Sequence, residues 1–183
     1  MSFDKGKTLV VNLLGGPSAG KSTIAHGLMF ELKLLQINCE FAPEYAKGAV
    51  FEGATEKLDN QDYIFGKQLQ WISRYNGKTQ VIVTDAPLLH SIIYDSSQDE
   101  NFRQNVLNKH KRFNNLNVLV ERFHEYNPSG RLQTEEGAGV IHDSIVALIN
   151  SANLKDDSFI KTSCTRENIF KLGTLIKEQI QNI

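Results

Sequence analysis

Gly15, Gly20, Lys21 and Ser22 stand at the spacing G-x-x-x-x-G-K-S within the run GGPSAGKST. Glycines at such spacing let successive backbone N–H groups turn inward and approach phosphate oxygens closely. A lysine at this place reaches the β- and γ-phosphates of a nucleoside triphosphate, and the next hydroxyl ligates Mg²⁺. The chemistry is nucleotide binding through Gly15, Gly16, Pro17, Ser18, Ala19, Gly20, Lys21, Ser22 and Thr23, with Ser22 on the metal. By itself the loop does not separate a kinase from an ATPase or a GTP switch.

A second group of residues can act on whatever meets the phosphates. Asp85 follows the short apolar run Gln80 to Thr84. A carboxylate there can hold Mg²⁺ or accept a proton from an attacking hydroxyl, or simply cap the next helix. Glu44 and Tyr45 can present an acid and a ring to an acceptor, although an acid at that place also suits a helix dipole. Arg131 lies in the segment His124 to Gln133, where Asn127-Pro128 and Ser129-Gly130 signal turns. A guanidinium on a mobile lid can swing over the phosphates, and lid closure expels water that would otherwise hydrolyse the donor. Gln68 and His90, with Tyr63, are further candidates for the acceptor pocket, while Trp71 reads as core. Arg103, Lys109, Lys111 and Arg112 crowd one helix, as a solvated face or as a phosphate-tracking patch.

The elements that must position these groups alternate. Thr8 to Leu14 reads as a buried strand ahead of the loop, and Ile24, Leu28, Leu32 and Leu35 follow at helical spacing. A second strand is expected at Asn38 to Ala42, with a short helix opening at Glu44. A polar connection over Gly53 to Leu58 comes next, and then a helix capped by Asp59 and ending at Asn76-Gly77. The run before Asp85 is the third strand, and Pro87 opens a helix to Tyr94. A basic helix over Glu100 to Phe113 precedes a strand at Asn117 to Arg122. Thr134 starts a helix, Ser158 to Ser163 is a last strand, and Arg166 to Ile180 is amphipathic. Strand–helix alternation predicts an α/β, three-layer P-loop fold with a five-stranded parallel sheet, expected order 2-3-1-4-5, and a lid over about 124–136. Ligands in such sheets bind beyond the carboxyl ends of the strands, so the loop, Glu44, Asp85 and the lid share one rim.

Composition sets the limits. The chain has 183 residues and a formal net charge of -1, consistent with a single P-loop domain over 1–183 and with no global field that would draw nucleic acid or membrane. Cys39 and Cys164 fit no metal-ligand spacing and read as buried thiols. No run approaches the roughly twenty apolar residues of a membrane span, and the polar N-terminus lacks an apolar signal core. The expected setting is cytoplasmic, the host cytoplasm if the chain is phage-encoded.

GGPSAGKST, APEYAK (Ala42 to Lys47), TDAPLLHSIIY (Thr84 to Tyr94) and YNPSGRLQTEE (Tyr126 to Glu136) occur together and in order. In this the chain resembles phage-encoded P-loop nucleotide kinase-like proteins. Those proteins are similar to the ribosylnicotinamide kinase domain and to the phage 5-hydroxymethyluracil DNA kinases of the thymidylate kinase-like class. The resemblance implies ATP and Mg²⁺ at Gly15 to Thr23, Asp85 as base or metal-side acid, Glu44 near the acceptor and Arg131 on the lid. Gly66-Lys67-Gln68 looks like a matching segment on the acceptor-side helix. The ribosylnicotinamide kinases tend to carry a second acid where this chain has Pro87, which points to the phage-type branch. The expected function is an ATP-dependent kinase acting on a hydroxyl of a nucleoside-like acceptor, with 5-hydroxymethyluracil in phage DNA first. A ribosylnicotinamide or other free nucleoside or nucleotide kinase is the alternative, and a nucleotide-dependent switch or binding module is the reading of another class.

Overall fold

Every residue of β1, Leu9–Leu14, is buried, as a strand covered on both faces must be. In the computed structural model, which describes residues 8–127, 133–154 and 159–181, it is the central strand of a five-stranded sheet. The order is β2-β3-β1-β4-β5, with β2 at Cys39–Ala42, β3 at Val81–Thr84, β4 at Asn114–Glu121 and β5 at Phe159–Ser163. Each neighbouring pair runs parallel. All strands therefore end at one rim, where Gly15, Glu44, Asp85 and Arg122 follow β1, β2, β3 and β4.

Alternate residues of β1 serve two cores. Leu9, Val11 and Leu13 pack with Ile24, Ala25, Leu28 and Leu32 of α1 (Lys21–Leu34) and with Leu172 and Ile176 of α7 (Arg166–Gln181). On the other face Val10 meets Phe65 and Ile72 of α3 (Gln61–Tyr75), Leu88, and Phe102 and Val106 of α5 (Glu100–His110). Leu14 packs with Ile145, Leu148 and Ile149 of α6 (Glu135–Ser151). The short α2 (Tyr45–Phe51) and α4 (His90–Tyr94) lie along the rim side of the chain path. This is the α/β P-loop architecture in the strand order expected, and among the described residues no helix is long and apolar enough to cross a membrane.

Boundaries moved where polar side chains do structural work. Thr55–Asp59 is a 3-10 turn rather than open connection. The α3 cap is Asn60, not Asp59: its Oδ1 accepts from the Tyr63 N–H at 3.0 Å, because the 3-10 turn already includes Asp59. β4 starts at Asn114, earlier than expected, since Asn12 Nδ2 donates to Asn115 Oδ1 at 3.0 Å and to Asn117 Oδ1 at 3.3 Å. Asn115 in turn donates to the His110 and Phe113 carbonyls, tying the end of α5 to the start of β4. That end carries Lys109, Lys111 and Arg112, and β4 pairs Asn114 with Leu9 at the start of β1. The basic cluster thus sits at the edge of the sheet opposite the phosphate loop, about 16 Å away along five strand residues.

Candidate active site

The loop after β1 runs straight into the start of α1, with the Gly16 N–H on His142 Nδ1 at 3.5 Å and the Ala19 N–H on Gly16 O at 3.3 Å. Gly20 takes φ +94, and a Cβ on it would fall 2.5 Å from Cys164 Cβ. Glycine is required there by both backbone and space. Among the described residues no side chain caps α1 and its first turn holds no acid, so its positive end points into the loop. Lys21 Nζ is folded onto the loop, donating to Gly15 O at 2.8 Å and Gly16 O at 2.9 Å.

Asp85 and Ser22 meet directly beneath. Ser22 Oγ donates to Asp85 Oδ2 at 2.6 Å. Asp85 is only 4 % exposed, and its Oδ1 is buried without a hydrogen-bond partner among the described residues. A buried carboxylate oxygen lacking a donor is costly, and a hydroxyl beside it completes a pair of hard oxygen donors. These two residues fit Mg²⁺, which takes few protein ligands and shares the rest with water and phosphate.

A cavity of about 320 Å³ runs from Pro17 to Thr23 across to α2, α3 and α4. Its far wall holds Glu44, Lys47, Gln61 and Tyr94 with apolar Val50, Leu58 and Ile64. Gln61 Nε2 donates to Leu58 O at 2.8 Å, which anchors its amide at the start of α3. Burial and the Glu44 carboxylate push the Tyr94 phenol up to about 12, although 40 % of the residue is exposed; its hydroxyl stays neutral. His90 stands edge-on to Tyr94 with ring centroids 6.4 Å apart. Burial, and then the Lys21 charge, hold His90 well below its ordinary value, so it is uncharged at neutral pH, with a buried Nε2 that has no partner among the described residues.

The expected residues divide. Pro17, Ser18, Ala19, Gly20, Lys21, Ser22, Thr23 and Glu44 line the cavity, and Asp85 lies under it. Gly15 sits against β4, and Gly16 faces a smaller hollow with Arg122, His142 and Asp143. Tyr45 does not line the cavity. On α2 the lining residues are Ala46, Lys47 and Val50, and Tyr45 instead pairs with Tyr63 through hydroxyls 2.8 Å apart. Gln68 does not line it either. The α3 stripe Gln61, Ile64, Gln68 enters the core, where Gln68 is 3 % exposed and donates to Thr84 Oγ1 at 3.1 Å. Trp71 packs at the edge of the second core, as expected. Arg131 lies outside the described residues.

The flanks of the segment expected to form a lid are described and held. Arg122 pairs with Glu135 at 2.9 Å, and Tyr126 donates to the Gln133 carbonyl. The Asn127 N–H donates to Ser18 Oγ at 3.0 Å, joining the segment after β4 to the phosphate loop, and Gln133 lines the cavity. Sequence reasoning missed Lys47, Gln61 and Tyr94 as cavity residues and Arg122 as the partner of Glu135. The first and third sit inside segments already singled out; helical arithmetic from Glu44 would have picked Lys47 over Tyr45.

Fold and site together define a P-loop nucleotide-binding protein of kinase-like build. The chain belongs to the AAA domain family, whose model matches residues 10–156. Its fold is similar to that of the NadR protein solved in complex with NAD and AMP-PNP, at TM-score 0.66 and 17% identity, over 97% of this chain and 50% of that one. This chain therefore spans half the length of that protein. Shikimate kinase from Acinetobacter baumannii, solved with shikimate, is similar at TM-score 0.53 and 12% identity, over 98% and 96% of the two chains. No curated protein sequence matches.

Proposed function

We propose that this protein is a kinase that transfers the γ-phosphate of ATP to a hydroxyl of a nucleoside-like acceptor. The observation that carries this reading is the shape of the cavity: it continues past the phosphate loop to a wall with an acid, an amide and a neutral phenol. A switch or a simple ATPase has no use for such a second compartment. Small-molecule kinases share the fold.

In the proposed reaction, Lys21 leaves the Gly15 and Gly16 carbonyls for the β- and γ-phosphates. Ser22 and Asp85 would hold Mg²⁺, which would supply positive charge beside the phosphates. The acceptor O–H gives its proton to the Asp85 carboxylate, its oxygen forms the new bond to the γ-phosphorus, and the bond to the β-phosphate oxygen breaks to release ADP. Glu44 accepts hydrogen bonds from acceptor hydroxyls, and the apolar patch at Val50, Leu58 and Ile64 takes a flat ring.

The acceptor favoured is 5-hydroxymethyluracil within DNA, on the strength of the four ordered segments that resemble that branch. Pro87 replaces the second acid of the ribosylnicotinamide-type pattern, which makes a free ribosylnicotinamide the runner-up. Incubation with labelled ATP and a panel of nucleosides, nucleotides and hydroxymethyluracil-containing DNA decides between them. Label is expected on the DNA base; label on a free nucleoside alone would move the assignment to the runner-up, and label on no acceptor would end the kinase reading.

A further inference from the structure

Gln68 puts an amide on an apolar face. Phe65, three residues before it, and Ile72, four after it, pack in the second core, and Gln68 is buried with them. Burying an amide is costly unless it is hydrogen-bonded, and methionine would fill a similar space without that cost. What the amide supplies is a bond to the sheet: its Nε2 donates to Thr84 Oγ1 at 3.1 Å.

Thr84 is the last residue of β3, paired with Asn12 of β1 and Ala42 of β2. The ladder therefore stops one residue short of Asp85. Past that point the chain turns, and Thr84 Oγ1 also accepts from the Ala86 N–H at 3.2 Å. One hydroxyl oxygen thus ties the residue after Asp85 to the residue before it, and Gln68 holds that oxygen from behind. The Asp85 carboxylate meets Ser22 through Oδ2, and its Oδ1 has no donor among the described residues. The bracket of Thr84 and Ala86 is what keeps the carboxylate aimed. Gln68 also shares a helix face with Ile64 and Gln61, one and two turns earlier on α3, and both of those line the cavity. The helix that walls the acceptor side is bonded to the turn that carries Asp85.

We propose that Gln68 is a positioning residue for Asp85: through Thr84 it fixes the carboxylate against the phosphate loop and in register with the acceptor wall. The proposal rests on reading Asp85 as the group that takes the acceptor proton and would hold Mg²⁺.

Gln68→Met removes the bond and keeps the bulk. Transfer kinetics should show kcat about tenfold lower, with KM for ATP within about twofold of the parent, as for a residue that orients a functional group without touching substrate. The melting temperature should not fall, because Thr84 Oγ1 keeps the Ala86 N–H. Thr84→Val should lose kcat in the same way, and Thr84→Ser, which keeps the hydroxyl, should restore it. Gln68→Met combined with Thr84→Val should be no worse than Thr84→Val alone, since both act through one bond. A second readout needs no transfer: Mg²⁺ titrated into protein with a fluorescent ATP analogue should half-saturate at about tenfold higher concentration in Gln68→Met. Parental kcat and Mg²⁺ half-saturation in Gln68→Met, losses that multiply in the double variant, or a loss confined to the melting temperature would each overturn the proposal. The Thr84 variants carry the same test if Gln68→Met does not fold. Asp85→Asn separates the two levels. Loss in Asp85→Asn beside a parental Gln68→Met would refute the role of Gln68 alone, whereas parental transfer in Asp85→Asn would remove the role of Asp85 and this one with it.

Discussion

Asp85 concentrates the chemistry at the residue scale, because one of its oxygens is taken by Ser22 and the other is buried with no donor among the described residues. Asp85→Asn should lower phosphoryl transfer by about 10²-fold or more while weakening ATP binding less, as expected of a group that acts mainly in the transition state. Single-turnover kinetics beside an ATP titration would separate the two. Two buried histidines make a different prediction. Burial first, and the Lys111 charge second, push His110 down to about 4, and His90 is also depressed. In the unfolded chain both titrate near 6.5, so below that pH the unfolded state binds more protons than the folded one. Stability should therefore fall as pH drops through 6.5 and keep falling towards about 4. Urea denaturation across that window should show a steeper pH slope for the parent than for His110→Gln, by about one proton; equal slopes would mean that His110 charges freely in the fold. Lys21 and Ser22 were legible from spacing because the loop's chemistry is local. Gln61 and Tyr94 were not, because what places them on the cavity is the packing of α3 and α4 against each other.

At the scale of elements, the strand–loop–helix unit of β1 and α1 depends on a neighbour distant in sequence. Cys164, just past β5, closes over Gly20. Gly20→Ala combines a left-handed backbone with that clash and should cost about 1–3 kcal/mol of stability, read from urea midpoints, and should weaken nucleotide binding with it. A variant with parental stability and affinity would show that the loop relaxes around the methyl group. Alternation of strands and helices made the sheet and its order readable in advance, since right-handed crossovers leave few topologies. Element ends were less readable. Asn114 and Asn115 look like loop residues, yet Asn115 is tied to Asn12 across the sheet, and Asn60 outcompetes Asp59 as the α3 cap. Side-chain hydrogen bonds of this kind override composition at the boundaries of elements.

For the whole molecule, parallel topology divides the two edges of the sheet by function. The phosphate loop, Glu44, Asp85 and Gln133 gather at the carboxyl edge, and Lys109, Lys111 and Arg112 gather at the other. The double variant Lys111→Ala with Arg112→Ala should retain parental phosphoryl transfer and parental affinity for oligonucleotides; loss of either would place DNA on the amino edge and contradict the geometry. The central claim is that the cavity joins a nucleotide to a second molecule that receives its phosphate. The most direct measurement is the fate of the γ-phosphate of labelled ATP with Mg²⁺, with and without the acceptor panel, for the parent, Lys21→Ala and Asp85→Asn. The account predicts label on an acceptor for the parent, none for a folded Lys21→Ala, and about 10²-fold less for Asp85→Asn. Label that goes only to inorganic phosphate whatever acceptor is present, or transfer that survives in both variants, would contradict it.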